Sequence, residues 1–335
     1  MDLFQLLMAP RKATILTDSV RRKLHDRGWT DIHQSQLSQG RECPQRLHFA
    51  LGKQQRTMSC HALLGSMFHR AIELSLPLSE MSQVEVWIYL MNSIIAEGNT
   101  TYFYRGSPLR EADVIDFAHD LVAGRSIGVP VGELVFKVLD NFKQYGITVL
   151  AVEQKMTIID GSQYPVSFTG TLDLLVQWAG KIGVLDCKTS GLWGPLLDGE
   201  GSVKKQGYSH EELFSHSQLR HYLWMRSVLG DAHADVIGLL TPSNLVPYKT
   251  GAEKGQPRGA MLLTIPAPSK KDVLGYQADV VNFLNRYVEG PYRAFPTNFG
   301  KPLCPGCPYY NGCIKDNLST NQAAALSHPD LEYLK

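Results

Sequence analysis

The stretch "TLDLLVQWAGKIGVLDCK", residues 171–188, constrains this chain more than any other. Two runs rich in Val, Leu and Ile flank the short polar break "WAGK", which is the pattern of a β-hairpin. Side chains alternate faces along a strand. Asp186 and Lys188 therefore share one face with Val184, and Leu185 shares the other with Cys187. If Ala179 and Gly180 form a two-residue turn, Trp178 opposes Lys181. Counting outward from that pair, Asp173 opposes Asp186. Alanine at a turn position that needs positive φ argues mildly against so tight a loop. Two carboxylates facing each other repel unless something neutralises them. Oxygen donors of this kind suit a hard divalent cation, Mg²⁺ or Mn²⁺. The alternative is ordinary: acids at strand ends are often solvated or salt-bridged.

The surroundings of the hairpin set the fold class. Helices are expected over 18–27, 61–76, 83–97, 111–124 and 131–146, the last ending at Gly146. Strands are expected at "ITVLAVEQKMTII" (147–159), "SFTGTLDLLVQW" (167–178) and "KIGVLDCKTS" (181–190). A glycine-rich loop follows. "HEELFSHSQLRHYLWMRSVLG" (210–230) reads as one helix of about five turns at 3.6 residues each. "ADVIGLLTP" and "AMLLTIPAP" read as strands, and 270–290 as a late helix. Helices, then a short mixed sheet, then helices give an α/β domain rather than a regular doubly wound repeat. At 335 residues, 44% of them hydrophobic, the chain is long and apolar enough to build such a core.

Charge and cysteine usage narrow the partners. A formal net charge of +1 neither favours nor excludes nucleic acid, so a DNA-binding surface would have to be a local groove. No apolar run approaches the ~18–20 residues of a membrane span. The start "MDLFQLLMAPRK" lacks the basic region of a signal peptide, so a reducing cytoplasm is the expected compartment. Six cysteines lie at 43, 60, 187, 304, 307 and 313. Cys304, Cys307 and Cys313, spaced C-x₂-C-x₅-C, form a metal half-site that needs a fourth thiolate. A Cys₄ zinc site and an iron–sulfur cluster both use that set.

These motifs together resemble the PD-(D/E)xK nuclease superfamily, with "TLD" in the place of its PD motif and "DCK" as its DxK motif. The order is that of RecB-type nucleases. "GSMFHRAIE" supplies His69 on an upstream helix, and "QLRHY" supplies the QxxxY pair Gln218 and Tyr222, one helical turn apart. The cysteine pattern is similar to iron–sulfur members, the AddB-type nuclease domains and the CRISPR-associated exonucleases, with Cys43 as the fourth ligand. The resemblance covers roughly residues 40–315. It departs from the family in lacking the PD proline and in the long stretch between Lys188 and Gln218.

The resemblance implies a restriction-endonuclease-like core with a helical N-terminal part and a Cys-rich C-terminal segment. One nuclease domain would span 1–335. Residues 1–60 would carry the first cluster cysteine, 61–146 the helical part, 147–290 the core, and 291–335 the cluster segment and tail. His69, Asp173, Asp186 and the Cys187 carbonyl would bind Mg²⁺ or Mn²⁺, with Glu153 as an outer support or an extra acid. Lys188 would act on the attacking water or the phosphate, Gln218 would support the site, and Tyr222 would place the substrate or Lys188. A 4Fe–4S cluster on Cys43, Cys304, Cys307 and Cys313 would tie the chain ends together. The implied activity is exonucleolytic, on single-stranded or end-exposed DNA, alone or beside a helicase, recombination or CRISPR-adaptation partner. An endonuclease of the same fold, or a DNA-binding subunit with a vestigial site, remains the alternative.

Overall fold

A computed structural model describes residues 11–43, 47, 51, 57–59, 65, 68, 69, 72, 101–104, 107, 108, 110–125, 130–189, 209–245, 254, 255 and 260–289. Among them the chain divides into two units. The first takes Arg11 and residues 58–158 and 169–276, and the second 12–57, 159–168 and 277 onward.

The first unit is built on a mixed sheet. Its central strands are β6 (Ile147–Asp160), β7 (Val166–Trp178), β8 (Lys181–Cys187), β9 (Val236–Leu240) and β10 (Leu262–Pro266), hydrogen-bonded in that order. β6 and β7 supply residues to both units. β7 and β8 form the expected hairpin. Ala179 and Gly180 have φ of 49° and 76°, both positive as a two-residue type I′ turn requires. Trp178 opposes Lys181 and the ladder runs back to Leu174 opposite Leu185, in the register read from the sequence. β8 then pairs in parallel with β9, from Gly183–Val236 to Cys187–Leu240. With neighbours on both edges, β8 is buried on both faces: Val184, Leu185, Asp186 and Cys187 are each at most 4% exposed. Full burial of a Val or Leu side chain contributes about 1.5–3 kcal/mol, so this strand anchors the sheet.

Among the described residues the helices follow the apolar periodicity with one exception; the helix expected over 83–97, and most of the one expected over 61–76, lie outside them. α3 (Glu111–Val122) and α4 (Val131–Gln144) lie where expected. α4 buries Val131, Leu134, Val135, Val138 and Phe142 along one stripe. The helix expected over 210–230 is broken into α5 (His210–Phe214) and α6 (Ser217–Leu229). The Ser215 hydroxyl donates back to the Glu211 and Glu212 carbonyls. His216 is extended (φ −61°, ψ 111°). A serine that competes for its own helix's carbonyls ends the first segment, and α6 starts afresh. α6 lies against β8, is buried on most sides and stops at Gly230 with φ 79°. A small second sheet joins β3 (Thr57–Ser59), β4 (Thr101–Tyr104) and β5 (Ser107–Pro108).

In the second unit, α1 (Asp18–Asp26) begins at Thr17, whose hydroxyl caps the Val20 N–H. Fully buried Asp160 accepts the N–H groups of Ile15 and Leu16 at 2.6 and 2.8 Å and pairs with Arg21. Two strands missed in the sequence, β1 (Arg11–Ala13) and β2 (Asp31–His33), pair with β6 and β7. The C-terminal half of α7 (Lys270–Glu289) belongs to this unit. Its last carbonyls, Tyr287 and Val288, accept from the Arg27 guanidinium, where a cation also suits the helix dipole. Between α1 and α7 in sequence, α2 (Gln34–Glu42) ends at Cys43. Cys43 is a half-buried free thiol. Cys60, Cys304, Cys307 and Cys313 lie outside the described residues. Among those described, no helix is long and apolar enough to cross a membrane.

Candidate active site

The site forms where β6, β7 and β8 meet the helical segment carrying Phe68 and His69. Phe68 and Ile72 are buried on that segment, and His69 sits beside them, about a quarter exposed. Gly65, one turn earlier, lets the helix come close to the end of β8. A Cβ there would lie 3.2 Å from Thr189 Oγ1. His69 Nε2 is thereby 3.1 Å from the Cys187 carbonyl oxygen, and Nδ1 is 2.9 Å from Glu153 Oε1 and 3.7 Å from Asp173 Oδ2. His69, Glu153 and Asp173 could together hold a metal ion, their ligand atoms lying within 4.8 Å of one another.

The two hairpin acids differ from the simple picture of opposed carboxylates. The ladder stops at Leu174–Leu185, one pair short of them. The Asp173 carboxylate itself accepts the Cys187 N–H at 2.7 Å. Asp186 is fully buried; its Oδ2 pairs with Lys188 Nζ at 2.6 Å, and its Oδ1 has no hydrogen-bond partner among the described residues. A buried carboxylate oxygen without a partner is costly, and a divalent cation would satisfy it. The donor set therefore fits such an ion.

The charges bear this out. Burial raises the Asp173 carboxyl, while His69 and the Cys187 N–H pull it back. Burial pushes Asp186 up to about 6 despite Lys188. Burial alone would lower His69, but the hydrogen bond to Glu153 and the charges of Asp173 and Glu153 outweigh it and raise it to about 9. Several carboxylates gathered around one histidine are charges that a divalent cation can neutralise.

On the other side, Lys188 Nζ donates to Gln218 Oε1 at 2.9 Å, and Gln218 Nε2 donates to the Tyr222 hydroxyl at 2.6 Å. The one-turn spacing on α6 makes that relay. Burial pushes the Tyr222 phenol well above its ordinary value, so it stays neutral. Gly170 gives α6 room. A Cβ there would meet Met225 Sδ at 3.1 Å and Tyr222 Cε1 at 3.4 Å. The Cys187 side chain is buried and its thiol is pushed far up by burial. Only its backbone faces the site.

His69, Asp173, Asp186, Cys187, Lys188, Gln218 and Tyr222 are thus brought together. Glu153, read from sequence as an outer acid, touches His69 directly. The sequence reading passed over His216, the residue before α6. Its pKa is lowered by burial, and it feels the charges of Asp186 and Lys188. Its place two residues ahead of Gln218 was the only available signal.

No curated protein matches the chain. A solved structure titled "Crystal structure of SSO0001" is similar at 14% identity, covering 77% of this chain and 85% of that one, with a TM-score of 0.29. The profile of the PD-(D/E)XK nuclease superfamily matches residues 32–314. With the acids, the lysine and the mixed sheet in place, the chain belongs to the PD-(D/E)XK nuclease superfamily.

Proposed function

We propose that this protein is a Mg²⁺- or Mn²⁺-dependent deoxyribonuclease of RecB-like type that degrades DNA from its ends. The observation that carries the reading is the convergence of His69, Asp173 and the Cys187 carbonyl on the end of β8, where Asp186 holds a buried oxygen without a hydrogen-bond partner among the described residues, beside Lys188. When bound, the cation would polarise the scissile phosphate and acidify a water. His69, Asp173, Asp186 and the Cys187 carbonyl would hold it. Lys188, kept in place by Asp186 and Gln218, would orient the water or meet the charge that develops on the phosphate. Tyr222 holds Gln218 and, through it, the lysine. Attack in line would leave a 5′-phosphate if the resemblance carries over.

The exonucleolytic mode rests on the RecB-type order of His69, Asp173, the Asp186–Lys188 motif and the Gln218–Tyr222 pair. It fits recombination, end processing, phage DNA metabolism or CRISPR adaptation, with or without a helicase partner. The test is digestion of 5′- and 3′-labelled linear strands and of covalently closed circles, with Mg²⁺ or Mn²⁺, beside Lys188→Ala. Linear DNA should be degraded, circles spared and the variant inactive. Cleaved circles would make the protein an endonuclease, and an active Lys188→Ala would end the catalytic assignment.

Cys43, Cys304, Cys307 and Cys313 are proposed to hold a 4Fe–4S cluster, supported by the C-x₂-C-x₅-C spacing and the free Cys43 thiol at the end of α2. Closing so long a loop would restrict the unfolded chain, so its role would be mainly structural. Anaerobically purified protein should be brown with iron and sulfide. A colourless protein with stoichiometric zinc would replace the cluster with a zinc site.

A further inference from the structure

We propose that Glu153 is a positioning residue. Its carboxylate holds the Nδ1 edge of His69, so that the Nε2 edge, beside the Cys187 carbonyl, is the one presented to the cation. The inference rests on His69 and Asp186 being metal ligands.

Both ring nitrogens have a neighbour, Glu153 Oε1 at 2.9 Å on Nδ1 and the Cys187 carbonyl at 3.1 Å on Nε2. Two arrangements follow. A cation on the Nδ1 edge would make Glu153 a direct ligand with Asp173. A cation on the Nε2 edge would share the end of β8 with the Cys187 carbonyl and with Asp186, the preceding residue. With Asp186 a ligand, as the proposed function has it, the second arrangement is the one that uses its buried Oδ1, which has no hydrogen-bond partner among the described residues. A histidine ligand also normally donates its other N–H to a carboxylate, which fixes the ring's orientation. Glu153 then supplies that carboxylate.

The backbone is bent to deliver it. Glu153 has φ 47° inside β6, a left-handed conformation that a non-glycine residue adopts at a cost of about 1–3 kcal/mol. Burial alternation changes phase across it. Thr148 and Leu150 are exposed, whereas Met156 and Ile158, also even-numbered, are buried. A left-handed residue at this point re-aims one side chain without ending the strand, as a bulge does. Gln154, the next residue, has a buried Oε1 without a hydrogen-bond partner among the described residues, so its side chain gains nothing from the distortion. Glu153 gains the contact with His69.

Two measurements on the full chain test this. In the first, Mn²⁺ binding is followed by calorimetry for wild type, Glu153→Gln, Glu153→Ala and His69→Ala. Glutamine keeps an acceptor oxygen for Nδ1 but is a poor cation ligand. Glu153→Ala should lose about 10–100-fold in affinity, and Glu153→Gln should stay close to wild type. Equal losses in both would make Glu153 a ligand, and no loss in either would leave it without a role; each overturns the proposal. Unchanged binding in His69→Ala would overturn the metal assignment beneath it, whatever Glu153 does. In the second, the ¹⁵N resonances of the His69 ring are followed in wild type as Mg²⁺ is added, so no variant needs to fold. Nε2 should shift while Nδ1 keeps its proton; a shift at Nδ1 would overturn the proposal.

Discussion

Asp173 reaches across the end of the β7–β8 hairpin and accepts the Cys187 N–H at 2.7 Å, at the point where backbone pairing between the two strands has stopped. One carboxylate thus closes the ladder and lines the proposed metal site. The two roles separate by substitution. Asp173→Ala should destabilise the metal-free protein by about 1–3 kcal/mol, because a buried N–H loses its acceptor. Asp173→Asn keeps an acceptor and should hold stability near wild type. Both should lose Mn²⁺ binding and nuclease activity. Denaturant melts in chelator and calorimetry measure the two effects.

In chelator, protons should take over part of the neutralising role of the cation. The Asp186 carboxyl is raised to about 6. The folded state therefore favours its protonated form, and stability falls as pH rises from the ordinary carboxylate range through 6. His69 is raised to about 9. Its contribution is fully present below its ordinary value of 6.5 and is lost as pH rises through 9. Both signs agree: in chelator the melting temperature should drop steadily from pH 5 to 9. Saturating Mn²⁺ should restore it at the alkaline end. A melting temperature in chelator that climbs over that range would contradict both assignments.

Asp186 carries a further consequence of the same burial. Asp186→Asn removes a charge the fold resists, so at pH 8 without metal it should stabilise the protein by up to about 2–3 kcal/mol. It should also abolish activity. Function held at the expense of stability is common where a site must stay charged.

The Lys188–Gln218–Tyr222 relay predicts graded losses. Lys188→Ala should cost about 10²–10⁴-fold in kcat with Mn²⁺ affinity little changed. Tyr222→Phe removes one neutral hydrogen bond, about 0.5–1.5 kcal/mol, and should slow turnover several-fold. Single-turnover kinetics at saturating metal would show whether the order Lys188, Gln218, Tyr222 holds.

Gly65 is predicted to set how close His69 comes to β8. Gly65→Ala places a Cβ 3.2 Å from Thr189 Oγ1 and should weaken Mn²⁺ binding by up to about 10-fold. Adding Thr189→Ala removes the obstructing oxygen and should recover most of the loss. Additive losses in the double variant would show that the two residues do not communicate.

The hairpin was legible because two independent signals agreed: the alternation of Asp173, Asp186 and Lys188 with apolar residues, and a two-residue gap at Ala179–Gly180. Gln218 and Tyr222 were legible because helical spacing alone puts them on one face. Glu153 was not. A left-handed residue that is neither glycine nor asparagine leaves no mark in a strand-like run such as "AVEQKM". The break at Ser215–His216 was hidden for a related reason. Apolar residues continue at helical spacing through it, while the hydroxyl that ends α5 is a local event. β1 and β2 are three residues each, too short to show a period.

The tight turn at Ala179–Gly180 also limits how this protein can change. Surface turns usually tolerate gain or loss of residues, since they carry little of the core. Here, dropping one residue would force Trp178 or Lys181 into the turn and slide β8 by one place. Every side chain beyond would then meet the wrong partner. Asp186 and Lys188 would be carried away from Asp173 and His69 with no site residue altered. The length of a two-residue loop on the far end of the hairpin is therefore as strict a requirement for the chemistry as the acids themselves, and a single deletion there should read out as a dead enzyme.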